Sequence, residues 1–201
     1  MAAGRPRDPR VDAAILGATL RELEETGYAR LSIDAVARRA GVSRPAIYRR
    51  WPSKAQLVHE AVFPDIAAAD LPIPHGPDFA GDVRAMLQQA ISYLSRPEVL
   101  AAAPGLMAEF RTDPGLQHLM AARLEDQLRT RLARRVEAAV SAGEAAPGTD
   151  AGLLLDVITG TVLFALLSRP PTDQPISLEA LAAMLLHGIL PRAAEDLPGP
   201  R

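Results

Sequence analysis

The most constraining feature of this sequence is the segment SIDAVARRAGVSRPAIYRRWPSK at residues 32–54, in which two short helical patterns flank one glycine. Ser32 is a good N-cap residue, and apolar residues recur after it with helical spacing. Gly41 follows where the first helix has to end, because glycine adopts the left-handed conformation without a Cβ clash. Ser43 then stands at the N-cap of a second helix that has Pro45 in its first turn. The segment predicts two short helices joined by a tight turn.

The second helix, about residues 44–50, is too short to be stable alone and contributes little to a hydrophobic core. Its polar side chains form instead a cationic and hydrogen-bonding surface suited to the major groove of DNA. These side chains are Arg44, Tyr48, Arg49 and Arg50. A tight turn followed by a basic helix is typical of a helix-turn-helix DNA-binding domain.

Charge is distributed in a way that agrees with this interpretation. The net charge is −2, yet residues 1–60 hold 11 Lys and Arg against 7 Asp and Glu, whereas residues 61–201 hold 11 against 17. The basic excess therefore coincides with the predicted helix-turn-helix, as phosphate contacts require. The chain has no cysteine, its four histidines have no ligand-spaced neighbours, and it lacks a glycine-rich phosphate loop. We expect no metal site, no cofactor and no enzyme activity.

Helical periodicity continues through the rest of the chain, and no alternating strand pattern occurs, so an all-α fold is expected. A Pro-rich break covers residues 70–77, and Pro97 and the Ala-Pro-Gly at 103–105 punctuate short helices. The expected helices cover residues 10–26, 53–69, 78–95, 114–142, 150–168 and 178–190. The expected domains are a helix-turn-helix domain at 10–55 and a ligand-binding and dimerisation domain at 56–192, with disordered tails at 1–9 and 193–201.

Nothing in the sequence predicts a membrane partner. The first ten residues lack the apolar core of a signal peptide. The most apolar run, residues 152–167, falls short of the roughly 20 apolar residues that span a bilayer. We expect a soluble cytoplasmic protein.

The helix-turn-helix segment resembles the N-terminal domain of the tetracycline-repressor (TetR) family of bacterial regulators. The similarity lies in ETGY at 25–28, LSI at 31–33, AxxAGVS at 37–43 and IYRRWxSKxxL at 47–57. It covers about a quarter of the chain densely, and the remainder is similar in length and helical character. The family often has threonine where this chain has Ala46, so a hydroxyl contact is expected to be absent there.

The motif and the residue types together select candidate DNA contacts. Tyr48 can donate to a phosphate, and Lys54 adds its charge to the positive end of the next helix. An arginine can hydrogen-bond O6 and N7 of guanine together. The expected DNA-binding residues are Ser32, Ser43, Arg44, Pro45, Ala46, Tyr48, Arg49 and Lys54. The alternatives are that Tyr48 packs in the core, that Lys54 is a solvated charge, and that the arginines pair only with phosphates.

The helix at 150–168 is apolar around most of its circumference and must be buried on several faces. The resemblance implies that the last long helices of two subunits form a four-helix dimer interface, where Gly160 permits close approach. The expected interface residues are Leu154, Ile158, Val162 and Leu166. The alternative is a central helix buried within a monomer.

Methionines and aromatic residues are frequent in residues 79–124, and they can line an apolar cavity with a few polar groups that orient a ligand. The expected ligand-binding residues are Met86, Gln89, Tyr93, Met107 and Phe110. The alternative is that they fill the core.

The resemblance implies a homodimeric, ligand-responsive transcription factor, most simply a repressor that a small-molecule effector releases from a palindromic operator in double-stranded DNA. Two other classes remain open at this point. One is a helical DNA-binding accessory factor without a ligand. The other is an all-α enzyme or small-molecule carrier.

Overall fold

The computed structural model describes residues 8–64, 72–123, 128–168 and 176–187, with the side chains of 119–123 excepted. These residues form ten α-helices and no strand, and the predicted all-α class is confirmed. In chain order the helices are α1 Pro9–Arg30, α2 Ile33–Ala40, α3 Arg44–Tyr48, α4 Lys54–Val62, α5 Phe79–Leu94, α6 Pro97–Phe110, α7 Pro114–Arg123, α8 Thr130–Ser141, α9 Ala151–Ser168 and α10 Leu178–His187.

Local capping chemistry sets the ends of the first helices. Ser32 Oγ accepts a hydrogen bond from the amide of Ala35 at 3.1 Å and so begins α2. Gly41 ends α2 with φ of 68°, in the left-handed region predicted for it. Gly27, with φ of 72°, breaks the regular helix near the end of α1, just after residue 26, where the periodicity predicted the end. The helix-turn-helix geometry therefore follows from the sequence.

Two hydrophobic clusters divide the described residues. The first joins α1–α4 with parts of α6 and α7, and it includes Ile15, Val36, Ile47, Trp51 and Leu57 from the N-terminal helices and Val99, Ala102, Leu106 and Leu116 from the later ones. The second joins α5, α8, α9 and α10. Because α6 packs on α1 and α4, the helix-turn-helix region shares its core with the C-terminal half of the chain.

The close contact between α1 and α6 depends on a glycine. A Cβ placed on Gly105 would lie 2.0 Å from Cδ1 of Tyr28, much closer than two carbon atoms can approach. The buried Tyr28 ring therefore occupies the space that any other side chain at position 105 would take. Burial, with the carboxylates of Glu109 and Asp113 nearby, raises the pKa of the Tyr28 phenol above its ordinary value, so the phenol stays neutral.

The helices expected near the middle of the chain differ in part from the structure. The short helices expected around residues 97–105 are one helix, α6, with Pro104 in its interior. Proline removes one backbone hydrogen bond, and burial of Val99, Ala102 and Leu106 keeps the helix continuous across it. The long helix expected at 114–142 is described as α7 and α8; residues 124–127 between them lie outside the described part, so its continuity stays a prediction.

Other expectations fall partly outside the described residues. The helix expected at 53–69 ends earlier, because α4 ends at Val62 and its cap residue Phe63 is not helical. The end predicted for the helix at 178–190 lies outside the described residues, as do the tail predicted at 193–201 and most of the tail predicted at 1–9. Asp8 and Pro9, assigned to the N-terminal tail, are ordered parts of the start of α1: Asp8 is its N-cap and accepts from the amide of Arg10 at 3.0 Å.

A buried ion pair fastens α5 to α8. Arg135 Nε donates to Oδ2 of Asp82 at 2.6 Å, and both side chains are almost fully buried. The amide of Gly76 donates to the other Asp82 oxygen at 2.6 Å. Glu144 lies 3.5 Å from the same guanidinium and accepts from the amide of Phe79 at 2.8 Å. Because both charges are buried, removing either partner would leave an uncompensated charge in the core.

By length and composition, α9 is the one helix among the described residues that could cross a membrane. One such helix is a weak indication, because the core helix of a soluble protein meets the same criteria. Leu155, Ile158 and Val162 of α9 pack in the second hydrophobic cluster.

Candidate DNA-binding site and adjacent cavities

The helix α3 presents one polar surface to solvent. Ile47 is buried beneath it and anchors the helix to the first cluster. The exposed side chains are Ser43, Arg44, Pro45, Tyr48 and Arg49, while Ala46 is half-buried and Ser32 is exposed at the start of α2. The structure thus brings most of the predicted DNA-binding residues to a single face.

The two exposed arginines of this surface differ in their surroundings. Arg44 pairs with Asp34 at 3.2 Å, and its guanidinium carbon lies 5.9 Å from the centre of the Tyr48 ring. Within the described part of the chain, Arg49 has no ion pair of its own. To contact nucleic acid, Arg44 would therefore have to give up its ion pair with Asp34. Arg49 has no such pair to lose.

Ser43 occupies the N-cap position of α3, with φ of −84° and ψ of 150°, but its hydroxyl makes no capping hydrogen bond. The predicted N-cap position of Ser43 is confirmed, and only a side-chain capping hydrogen bond is missing. Its carbonyl accepts from the amide of Ala46 at 2.9 Å and starts the helix through the backbone alone. The exposed hydroxyl keeps its hydrogen-bonding capacity for another group.

Arg50 does not belong to the exposed cationic surface, and its assignment there is corrected. Its Nε pairs with Asp12 of α1, and its Nη1 donates to the carbonyl of Ala46 at 3.0 Å. Position 50 follows the end of the five-residue α3, where the chain turns back toward α1. Arg50 therefore fixes α3 against α1.

Lys54 is half-buried at the start of α4. Its Nζ donates to the carbonyl of Tyr28 at 2.9 Å and lies 4.3 Å from the centre of the Tyr28 ring. The ammonium thus satisfies a carbonyl near the end of α1, and its phosphate contact stays a prediction.

Two apolar cavities lie beyond the C-terminal end of α4. The first has a volume of about 400 Å³ and is lined by His59, Phe63, Ala103, Leu106, Met107, Phe110, Arg111, Leu116 and Leu163. The second has a volume of about 120 Å³ and is lined by Phe63, Pro72, Ile73, Met86, Gln89, Ala90, Tyr93, Leu94, Leu128, Leu155, Ile158 and Thr159. Phe63 belongs to the walls of both.

The predicted ligand-binding residues divide between these cavities. Met107 and Phe110 line the first, whereas Met86, Gln89 and Tyr93 line the second. Sequence reasoning missed His59, although its spacing gave a signal. It is a polar residue among the inward positions of α4, and it is buried against the Phe63 ring, with ring centres 5.1 Å apart.

The C-terminal end of α4 is held from the junction of α5 and α6. Phe63 stacks on Tyr93 with ring centres 6.1 Å apart. The guanidinium of Arg96 lies 4.0 Å from the centre of the Tyr93 ring and donates to the carbonyl of Val62 at 2.7 Å. A cation at the end of a helix also complements the helix dipole.

Of the interface residues predicted on α9, Ile158 and Val162 are buried within the chain, and their assignment is corrected, whereas the interface role of Leu154 and Leu166 stays a prediction. Ile158 and Val162 are 2% and 0% exposed, and Leu154 and Leu166 pack half-buried against the same second cluster. Because α9 is apolar on nearly every side, periodicity could not tell the inner face from the outer one. The outer face carries Leu153 at 62% exposure, Phe164 at 74% and Leu167, with Met184 of α10 also exposed.

Comparison with known proteins agrees with this geometry. The N-terminal family described as bacterial regulatory proteins of the tetR family matches residues 15–61, and the tetracyclin repressor-like C-terminal domain matches residues 73–185. The helix-turn-helix transcriptional regulator Rv1556 of Mycobacterium tuberculosis is 30% identical over 182 residues, which cover 87% of this chain and 88% of that protein.

Two further proteins extend the comparison. The DNA-binding transcriptional repressor TetR of Mycobacteroides abscessus is 30% identical over 186 residues, covering 90% of this chain and 95% of that one. The crystal structure of the TetR-family transcription regulator SCO0332 superposes with a TM-score of 0.66 at 29% identity, covering 90% and 99% of the two chains. These relatives are transcriptional regulators and not enzymes. The chain belongs to the TetR family of helix-turn-helix transcriptional regulators.

Proposed function

We propose that this protein is a cytoplasmic homodimeric repressor that binds a palindromic operator through α3 and leaves it when a small effector fills the first cavity. The observation that carries the proposal is the course of α4. This helix begins at Lys54, beside the DNA-binding surface, and Phe63 at its C-cap forms a wall of both cavities. Any ligand that displaces Phe63 or His59 acts directly on the helix that follows the recognition helix.

Sequence-specific binding requires two copies of α3. One five-residue helix reads few base pairs, and a two-fold dimer places two such helices one helical turn, or a multiple of it, apart. Arg44 and Arg49 are the candidates for base edges, and Tyr48 and Lys54 for phosphates. Ser32, Ser43, Pro45 and Ala46 complete the proposed contact surface.

The outer face of α9 and α10 supports dimerisation. Leu153, Phe164, Leu167 and Met184 are exposed, and a concentration of large exposed apolar side chains marks an interaction site. Gly160 lies on the same side of α9, and nothing lies within 4 Å of where its Cβ would be, so a second helix can approach closely.

Release by an effector is a population shift between two dimer shapes. The ligand changes the equilibrium only as far as its affinities for the two shapes differ. In the free protein α4 is held at its N-terminus by Ser53 and Asp113 and at its C-terminus by Arg96. The name of the relative from Mycobacteroides abscessus, a DNA-binding transcriptional repressor, supports repression over activation.

Selection of binding sites from random duplex DNA tests this proposal. We expect enrichment of a palindrome whose affinity falls steeply with salt, since phosphate contacts release counterions. A compound library is then screened for release of the selected duplex by fluorescence anisotropy. Enrichment of no motif would contradict sequence-specific binding, and a palindrome that no compound releases would indicate a constitutive DNA-binding factor.

A further inference from the structure

We propose that the first cavity binds an amphipathic anion, with its apolar body against Met107, Phe110 and Phe63 and its negative group at Arg111. This inference rests on the proposed function, because it names the chemical class of the effector that the same cavity would take. It is carried by the composition of the cavity wall and by the position of its one arginine.

The cavity wall is apolar apart from two residues. Seven of the lining side chains are hydrocarbon, thioether or phenyl groups from α4, α6, α7 and α9. A volume of about 400 Å³ falls within the range of small-molecule sites. The two polar residues are His59, which is buried deep in the wall, and Arg111, which is exposed where α6 ends. The cavity thus offers an almost wholly hydrocarbon interior, with the exposed side chain of Arg111 among its lining residues.

The rim is also where apolar side chains are left exposed. Met107 is 56% exposed and Phe110 is 38% exposed, although both line the cavity. Apolar side chains that remain this exposed at the edge of a cavity gain contact area when a ligand covers them. Methionine adapts its shape to varied apolar ligands, and a phenyl ring adds a large contact surface.

Arg111 is the only charged residue of the described cavity wall. Of its nearest charged neighbours in sequence, Glu109 lies near the Tyr28 phenol, and Asp113 accepts hydrogen bonds from Ser53 and from the amide of Leu116. Within the described part of the chain, Arg111 forms no salt bridge. A guanidinium in this position favours a carboxylate, sulfate or phosphate over a neutral or cationic group of equal length.

Three ligands that share one apolar chain test the proposal: decanoate, decanol and decylammonium, titrated calorimetrically into the full-length protein at pH 8 below their aggregation limits. We expect decanoate to bind about tenfold more tightly than decanol, as one charge-assisted hydrogen bond provides, and decylammonium to bind most weakly. Arg111→Gln should abolish the preference for decanoate, and Arg111→Lys should keep much of it. Arg84→Gln, which removes an exposed charge from α5 outside the cavity wall, should change nothing.

Equal binding of decanoate and decanol, no binding of any of the three, or an unchanged preference in Arg111→Gln would overturn the proposal. The comparison of head groups in the unsubstituted protein decides the question even if a variant fails to fold. If decanoate binds through Arg111 but does not release the selected duplex, the proposed ligand class is supported and the proposed release mechanism is contradicted. If a compound of another class releases the duplex and decanoate does not bind, the proposed repressor function is supported and the proposed ligand class is contradicted.

Discussion

The hydroxyl of Ser53 donates a hydrogen bond to Oδ2 of Asp113 over 2.7 Å, and it joins the beginning of α4 to the beginning of α7. Each residue is also a helix cap, since Ser53 Oγ accepts from the amide of Gln56 and Asp113 Oδ1 accepts from the amide of Leu116. Leu116 lines the first cavity. The cavity and the helix next to α3 are therefore connected by one turn of α7 and one hydrogen bond.

This link makes part of the stability depend on pH. The hydrogen bonds from Ser53 and from the amide of Leu116 hold the pKa of Asp113 below its usual range. A depressed carboxyl pKa stabilises the fold above the unfolded value of about 3.9, and this contribution is lost as the pH falls through the folded pKa. We expect Asp113→Asn to be less stable by about 1 kcal/mol at pH 7 and the difference to shrink toward pH 3.

Urea unfolding followed by the fluorescence of Trp51, the single tryptophan, measures this difference. A double-mutant cycle with Ser53→Ala serves as the control, because the two substitutions remove the same hydrogen bond and should not be additive. A difference of equal size at pH 7 and pH 3 would contradict the assignment.

The contact between Gly105 and Tyr28 predicts an unusual response to alanine. Replacing glycine by alanine inside a helix ordinarily stabilises a protein by up to about 1 kcal/mol. We expect this at Gly17 of α1, where nothing lies within 4 Å of the new Cβ. At Gly105 the Cβ would overlap the Tyr28 ring, so Gly105→Ala should destabilise the protein by about 1–3 kcal/mol. Thermal unfolding of the two variants would contradict the packing if both were stabilised.

The buried pair of Asp82 and Arg135 should be far more sensitive to substitution than an exposed pair. Asp82→Asn leaves Arg135 buried beside a neutral partner, and we expect a loss of about 3–5 kcal/mol in the free energy of unfolding. Glu25→Gln breaks an exposed pair with Arg39 and should change the free energy of unfolding little, because water screens exposed charges. Equal losses for the two variants in urea would show that the buried pair has no special role.

Arg49 and Arg50 are adjacent in sequence and should have separate effects. Arg49→Ala should weaken binding to the selected duplex by about 1–3 kcal/mol and leave thermal stability unchanged, because the side chain is exposed. Arg50→Ala should lower stability, because it removes the contacts with Asp12 and with the carbonyl of Ala46. Anisotropy titrations and melting curves measured together would contradict the assignment if the two variants behaved alike.

The outer face of α9 predicts the effect of a single charge on assembly. Phe164→Glu places a carboxylate in the proposed interface, and we expect it to convert the dimer to monomers in sedimentation experiments. Gln117→Glu adds the same charge to an exposed position on α7 and should leave the dimer intact. A dimer that survives Phe164→Glu would place the interface elsewhere, and a chain that partitions into lipid vesicles would indicate a membrane surface as the occupant of this face.

Residues whose roles follow from local chemistry were predictable from the sequence. Ser32 and Gly41 set the ends of α2 through capping and through a left-handed φ, and both depend only on near neighbours. The orientation of Arg50 was not predictable, because it depends on where α1 passes. The outer side of α9 was not predictable either. When a helix is apolar on nearly every side, its sequence pattern does not indicate which face is buried. Gly105 reads in sequence as a helix breaker, whereas the structure shows that it admits the Tyr28 ring.

The central claim is that two recognition helices of one dimer read two half-sites together. The direct measurement compares affinity for the selected palindrome with affinity for the same half-sites separated by about five additional base pairs, half a helical turn. The account predicts a loss of about 100-fold or more, because the second half-site turns to the opposite face of the duplex. Equal affinity for the two duplexes would contradict a dimer of fixed spacing.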